Sequence, residues 1–320
     1  LVAALSHGNG WWRDTAQRLL VERRPASAVP ALARLAESAP DWRVRLHALW
    51  TLDGLDAIEP GTVARALEHG SPYVRAAALR LAERWLGEPN HPLQATVLKR
   101  LHDSDVRVRR QLAASLGALP SPARDAAVAS LLDAHGGDPV TLDAALSGLR
   151  GREAAVLEKI LQTGARQTAQ REAAIAMLSA TIARSAQEDA VHGVFARVAG
   201  PGAEWPRSAM LRGMEIALLG AAMPGTRAPR IAPAASADPM PCPTCPGGRA
   251  GPGGAYAYPR PTSAASGRGG ARLRLNREPV ALTGLRASDA LADRVRLVLA
   301  RVSWPGKPGE AELLPLNADE

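Results

Sequence analysis

The chain of 320 residues is long enough for one to three domains, and 46% of its residues are hydrophobic while only 3% are aromatic. It has no apolar run of the roughly 18 residues that cross a bilayer and no visible signal peptide. Because it lacks an initiator methionine and opens on "LVAALSHGNG", which is typical of the inside of a helix, we expect a fragment of a longer protein. The net charge is +8, and nearly all of the positively charged residues are arginines. Seven of these arginines lie in the irregular stretch 224–275, which argues against a nucleic-acid-binding groove along the helices.

A repeat of about 32 residues runs through positions 1–120. Four segments align: "NGWWRDTAQRLL", "DWRVRLHALWTL", "SPYVRAAALRLA" and "DVRVRRQLAASL". Each has a polar or small first residue, a bulky apolar residue, an arginine and an alanine-rich amphipathic run. The aligned arginines are Arg13, Arg45, Arg75 and Arg109, which are 32, 30 and 34 residues apart. Shorter helical stretches lie between these segments, so the pattern predicts stacked helix pairs and resembles HEAT repeats.

The apolar spacing continues, without the regular arginine, through segments 138–149, 166–182 and 205–220. The predicted fold class is therefore all-α: a right-handed α-solenoid of about six HEAT-like helix pairs. The predicted boundaries are the solenoid over 1–223, a disordered Pro/Gly-rich insertion over 224–275, a short helical segment over 276–304 and a linker over 305–320.

Two adjacent tryptophans open the first aligned segment. On a helix, Trp12 shares a stripe with Ala16 and Leu20, which favours packing in the core or against a neighbouring domain. The alternative is a ligand platform on the concave face of the array.

The aligned arginines have a similar pair of interpretations. An arginine at the start of a second helix can bond carbonyls or carboxylates of the neighbouring repeat, and Asp14, Asp41 and Asp105 are candidate acceptors. We expect such a ladder between repeats rather than a stripe that binds phosphates.

The insertion contains one chemical motif, Cys242-Pro-Thr-Cys245. Pro246 stands where covalent haem attachment needs a histidine, and no further His or Cys follows to complete a zinc site. A redox pair needs a strand-to-helix context that a Pro/Gly stretch does not provide. An incidental thiol pair, open to local oxidation, is favoured.

The segments "LSHGNGWWRDTAQRLLVER", "RLHALWTLDGL", "VRAAALRLAERW", "RGMEIALLGAAMPG" and "VSWPGKPG" together resemble the middle region of large exported bacterial proteins. In that family a dehydrogenase-like β-propeller precedes HEAT repeats, and a c-type cytochrome domain follows. The resemblance covers the chain except 224–275. It implies a periplasmic scaffold whose partners are the two flanking modules, with haem c in the downstream module and no cofactor in this chain.

Residues at the two ends of the chain are then expected at the module boundaries: Trp11 and Trp12 upstream, and Trp304, Pro305 and Pro308 downstream. No catalytic or metal-binding residue is predicted, because the chain lacks HExxH, GxSxG, phosphate-loop and dinucleotide motifs. A freestanding protein-interaction module is the alternative function, and a basic nucleic-acid-binding repeat protein is a weaker one.

Overall fold

The computed structural model describes residues 1–163, 166–185, 187–224, 271–279 and 288–307. Within these ranges the chain is an array of helices with one short pair of strands. The α-helices are α1 Gly10–Arg23, α2 Val29–Ser38, α3 Trp42–Gly54, α4 Pro60–Leu67, α5 Pro72–Leu86, α6 Pro92–Leu98, α7 Val106–Ser115, α8 Ala123–His135, α9 Pro139–Ser147, α10 Glu153–Gln162, α11 Ala169–Arg184, α12 Glu188–Ala199, α13 Glu204–Leu219 and α14 Asp289–Leu299. The strands are β1 Leu273–Arg274 and β2 Val302–Ser303, and 3-10 turns occupy Val2–Ser6, Ala26–Ala28, Lys99–His102 and Leu116–Ala118.

Polar caps determine where the long helices of the repeats begin. The side chains of Asn9, Asp41 and Asp105 each accept a hydrogen bond from the backbone N–H two residues further on, at 2.7 to 2.9 Å. Such caps satisfy an amide that the first helical turn leaves without a partner. The aligned segments coincide with these three helices, α1, α3 and α7, and with α5, which begins at Pro72 without a side-chain cap.

The helices stack in two layers. α1, α3, α5, α7 and α9 pack in succession in one layer, while α2, α4 and α6 form the other. Val44, Val74 and Val108, each directly before an aligned arginine, are buried in the core between the layers. The predicted all-α, HEAT-like solenoid is thus confirmed.

The stacking changes after α9, where α11 packs on α8, α10 and α13. Gly213 allows α11 and α13 to approach closely, since a Cβ there would lie 2.7 Å from Ser179 Cβ and would also overlap the carbonyl of Ala176. Helix α13 ends at Leu219, and Gly220 directly after it has a φ of 69°, the left-handed conformation favoured by glycine.

The last described part of the chain is a small unit that packs on α13. Strands β1 and β2 pair in parallel, with Leu273 opposite Val302, and α14 lies between them in sequence and contacts α13. Arg294 of α14 donates two hydrogen bonds to the Glu215 carboxylate, at 2.7 and 3.1 Å.

This unit corrects two details of the predicted boundaries. Leu273 and Leu275 were placed in the irregular insertion, but the first lies in β1 and the second is buried. Residues 302–303, placed in a helical segment, form a strand because their backbone pairs with residues 273–274, which lie 29 residues earlier in the sequence, and no local pattern reveals this pairing. Ser288 caps α14, and the predicted helix before it lies mostly outside the described residues.

Candidate protein-interaction surface

The most exposed large apolar side chains of the described residues include two neighbours at the start of α1. Trp11 is 63% exposed and Trp12 is 49% exposed. Their rings meet edge to face, with centroids 5.2 Å apart, and His7 lies 5.7 Å from the Trp12 ring. Ala16 and Leu20 of the same stripe are buried, so the stripe was correctly identified. The described residues leave both indoles exposed, so the core of the array does not cover them, and packing against another domain stays a prediction.

All four aligned arginines bond carbonyls at the end of the preceding helix or in the turn before their own helix. Arg13 Nη1 donates to the carbonyls of His7 and Gly8, at 2.7 and 2.9 Å. Arg109 Nη1 donates in the same way to Asp103 and Ser104, both at 2.8 Å. Arg45 reaches the carbonyls of residues 37 and 39. These guanidinium groups satisfy carbonyls that the preceding helix or turn leaves free, and so fix the turn between paired helices.

Arg75 alone of the four joins two repeats through a carboxylate. It donates to the carbonyls of His69 and Gly70, and its Nε and Nη2 donate to the two oxygens of Asp103, both at 2.8 Å. The side chain of Asp103 is 3% exposed and that of Arg75 is 12% exposed. Burial opposes ionisation of Asp103, but the bonds from Arg75 and from the Asp105 amide outweigh it and lower the pKa of Asp103.

The predicted acceptors of the ladder were wrong. Asp41 and Asp105 cap their own helices and pair with Arg43 and Arg107, two residues further on in each case. The carboxylate of Asp14 lies 3.9 Å from His47 rather than beside an aligned arginine.

Other side chains connect the repeats, and the sequence analysis missed them. Arg110 donates to both oxygens of Asp138, at 2.7 and 2.9 Å, and this contact holds the pKa of Asp138 far below its usual range. Arg152 reaches the buried Asp125. The partners are 28 and 27 residues apart, close to one repeat, as are Arg75 and Asp103. A search for opposite charges 27 to 28 residues apart, a few residues less than one repeat, would have found them.

A continuous group of side chains crosses three repeats at the starts of α3, α5 and α7. Trp42 and Tyr73 stack with their centroids 4.6 Å apart and their planes 14° apart. The guanidinium carbon of Arg43 lies 5.7 Å from the Trp42 centroid, and that of Arg107 lies 5.1 Å from the Tyr73 centroid. We call Arg43, Trp42, Tyr73 and Arg107 the arginine–aromatic column. Tyr73 and both arginines are exposed, so the column is a surface feature.

At the other end of the described chain, Trp304 packs partly against the core and lies 5.1 Å from Lys307 Nζ, while Pro305 is exposed. Pro308, Cys242 and Cys245 lie outside the described residues. Their predicted roles stay predictions.

Two grooves open on the later helices. One of about 540 Å³ lies along α12 and α13, lined by Leu161, Arg197 and Met210 among others. The second, of about 490 Å³, lies between α11 and α13 and includes Trp205, Arg212 and Met223. Among the residues that the structure describes, no group of three or more His, Cys, Asp or Glu is arranged to hold a metal ion, and no helix is long and apolar enough to cross a membrane.

The described helices form a HEAT-like α-solenoid. A family model described as HEAT repeats matches residues 59–150, which include α4 to α9. The chain therefore contains a HEAT-repeat region, and repeats of this kind generally form non-catalytic scaffolds that mediate protein interactions. No curated protein and no solved structure matches the chain.

Proposed function

We propose that this chain is a non-catalytic helical-repeat scaffold that joins protein modules. The observation that carries this proposal is the exposed pair Trp11 and Trp12 at the outer helix of the array. Large exposed aromatic side chains are typical of protein interfaces, where they supply much of the buried apolar area. A protein module that packs against α1 would cover both indoles.

The resemblance described above supports a specific setting for this scaffold. The scaffold spaces a propeller dehydrogenase module from a c-type cytochrome module in an exported, periplasmic protein. Trp11 and Trp12 then face the upstream module, and the segment from Trp304 through Pro305 and Pro308 leads to the downstream one. Haem belongs to the downstream module, because in this chain Pro246 replaces the histidine that would follow an attachment pair.

The alternative is a freestanding protein-interaction module, which the arginine–aromatic column favours. The column crosses α3, α5 and α7 rather than the outermost helix, where contact with a flanking module is expected. A nucleic-acid-binding function ranks lower, because many arginines of the array are engaged by carboxylates or carbonyls of the chain itself.

The coding DNA on both sides of this region provides the first test. A propeller-encoding stretch upstream and a CxxCH codon pattern shortly downstream would support the spacer. Stop codons close to both ends would overturn the spacer and leave the freestanding module.

The second test is direct binding of the upstream module to the full chain, measured by calorimetry. We expect the W11S/W12S double variant to bind at least about tenfold more weakly, since buried tryptophans commonly dominate interface energies. The control is Leu297→Ser, which changes an exposed apolar side chain on α14. Equal affinity of the wild-type chain and the tryptophan variant would contradict the docking surface.

A further inference from the structure

We infer that the arginine–aromatic column is a binding site for an acidic segment of a partner protein. The inference rests on the proposed function as a scaffold and names the chemistry of one partner. It concerns α3, α5 and α7 and makes no use of Trp11 and Trp12.

The first argument is the unused donor capacity of the two column arginines. Arg43 donates through Nε to Asp41, at 3.1 and 3.2 Å, and Arg107 donates through Nη1 to Asp105 at 3.2 Å. In the described part of the chain the remaining guanidinium nitrogens of both side chains donate to no protein atom. Each arginine can therefore offer two further N–H groups to a carboxylate.

The second argument is that the column holds these donors in place. Each guanidinium lies near an aromatic ring, and the two rings are stacked on each other across the repeat boundary. The side chains of Arg43 and Arg107 are nevertheless 54% and 56% exposed. A guanidinium that is already oriented loses less conformational entropy when a carboxylate binds.

The third argument is the sign of the surrounding charge. The segments 37–45, 68–75 and 99–110 contain eight lysine or arginine residues and five aspartate or glutamate residues. Arg110 is paired with Asp138 outside these segments, which leaves an excess of two positive charges (eight minus six). The first turns of α3, α5 and α7 add the positive ends of three helix dipoles. The surface around the column therefore attracts negative charge.

The fourth argument separates a protein partner from a nucleic acid. Single-stranded nucleic acids bind aromatic rings whose faces are free to stack on bases. Trp42 and Tyr73 already stack on each other, and each also contacts a guanidinium. The combination of Trp, Tyr and Arg at one exposed place is instead the composition of protein-interface hot spots.

The test uses the full chain and a fluorescein-labelled decapeptide of glutamate and glycine with one central leucine, followed by fluorescence anisotropy. We expect binding that R43A/R107A weakens by about tenfold or more, the size expected when charge-assisted hydrogen bonds are lost. R43K/R107K keeps the positive charge but removes the planar guanidinium groups that bind a carboxylate through two N–H groups, and we expect an intermediate loss of affinity. The matched control is R18A/R34A, which removes the same charge from exposed sites on α1 and α2.

Three outcomes would overturn the inference. They are no binding to the wild-type chain, equal weakening by R43A/R107A and R18A/R34A, and tighter column-dependent binding of a ten-nucleotide oligo-dT. Thermal unfolding of each variant shows whether it is folded. Because docking of a flanking module is measured at Trp11 and Trp12, failure of the peptide experiment leaves that separate result standing.

Discussion

At the scale of single residues, the charged side chains of this array fall into two groups according to what they bond. Arg13 and Arg109 bond backbone carbonyls of the turn before their own helix. Arg75 bonds such carbonyls and also Asp103, while Arg110 bonds Asp138; each aspartate lies 28 residues further on. The first kind shapes a helix pair and the second joins neighbouring pairs. Aligned arginines in the sequence therefore do not all have the same role.

Asp103 offers a direct test of the second kind. We expect Asp103→Asn to lower the free energy of unfolding by about 2 to 4 kcal/mol, because it leaves the mostly buried Arg75 without its counter-charge. Asp105→Asn is the control. Asparagine caps helices as well as aspartate does, and the ion pair with Arg107 is exposed, so we expect a loss below about 1 kcal/mol. Urea unfolding measures both; equal losses would show that the pair of Arg75 and Asp103 does not stabilise the array.

At the scale of elements, close contact between α11 and α13 depends on a glycine. We expect Gly213→Ala to destabilise the protein by about 3 kcal/mol, because the added Cβ would overlap the backbone of α11. Gly193→Ala in α12 is the matched control, since nothing lies within 4 Å of a Cβ at that position. There we expect a gain of about 0.5 to 1 kcal/mol, because alanine loses less backbone entropy in a helix. Thermal unfolding that ranks the two variants in the opposite order would contradict this packing.

The unit formed by α14 and the two strands provides a second prediction for an element. Leu291 is buried in it, whereas Leu297 on the same helix is exposed. We expect Leu291→Ala to cost about 2 to 5 kcal/mol locally and to reduce amide hydrogen-exchange protection in α14. In a solenoid each repeat contacts only its neighbours, so protection in α3 and α5 stays unchanged. For the control, Leu297→Ala, we expect no change in stability or in exchange protection. Loss of protection throughout the array in Leu291→Ala would contradict nearest-neighbour coupling.

At the scale of the whole molecule, three histidines distributed along the array make stability depend on pH. Burial is the largest cause that lowers the pKa values of His47, His69 and His135 below the ordinary value of about 6.5. Nearby arginines also lower all three, while Asp14 acts in the opposite direction on His47. The unfolded chain therefore takes up these protons at a higher pH than the folded chain does. Their contribution to stability is complete above about pH 6.5 and is lost as the pH falls through the lowered folded values.

We expect the free energy of unfolding, measured in urea, to decrease between pH 7.5 and pH 5.5 on these grounds. The triple variant H47Q/H69N/H135Q removes the titrating groups, and His69→Asn keeps a side-chain acceptor for the Ser71 amide. Its stability should vary less over the same interval. If the free energy of unfolding changed equally with pH in the wild-type chain and the triple variant, other titrating groups would be the cause of the pH dependence.

The array of paired helices could be predicted from the sequence alone. Helix caps, apolar spacing and a repeat length are local properties, so Asp41 and Asp105 mark helix starts and the aligned segments mark helices without knowledge of their neighbours. The buried positions of Ala16 and Leu20 followed from the same spacing.

Only the tertiary structure decided the contacts that depend on which elements stack. It showed that the two indoles of α1 are exposed, that Arg75 bonds Asp103 and not an aspartate at a helix N-cap, and that β1 pairs with β2. It also brought Trp42 of one repeat onto Tyr73 of the next to form the arginine–aromatic column. The physical reason is the same in each case: burial, bidentate pairing and ring stacking are properties of two segments distant in sequence, and the local pattern of either segment contains only half of the interaction.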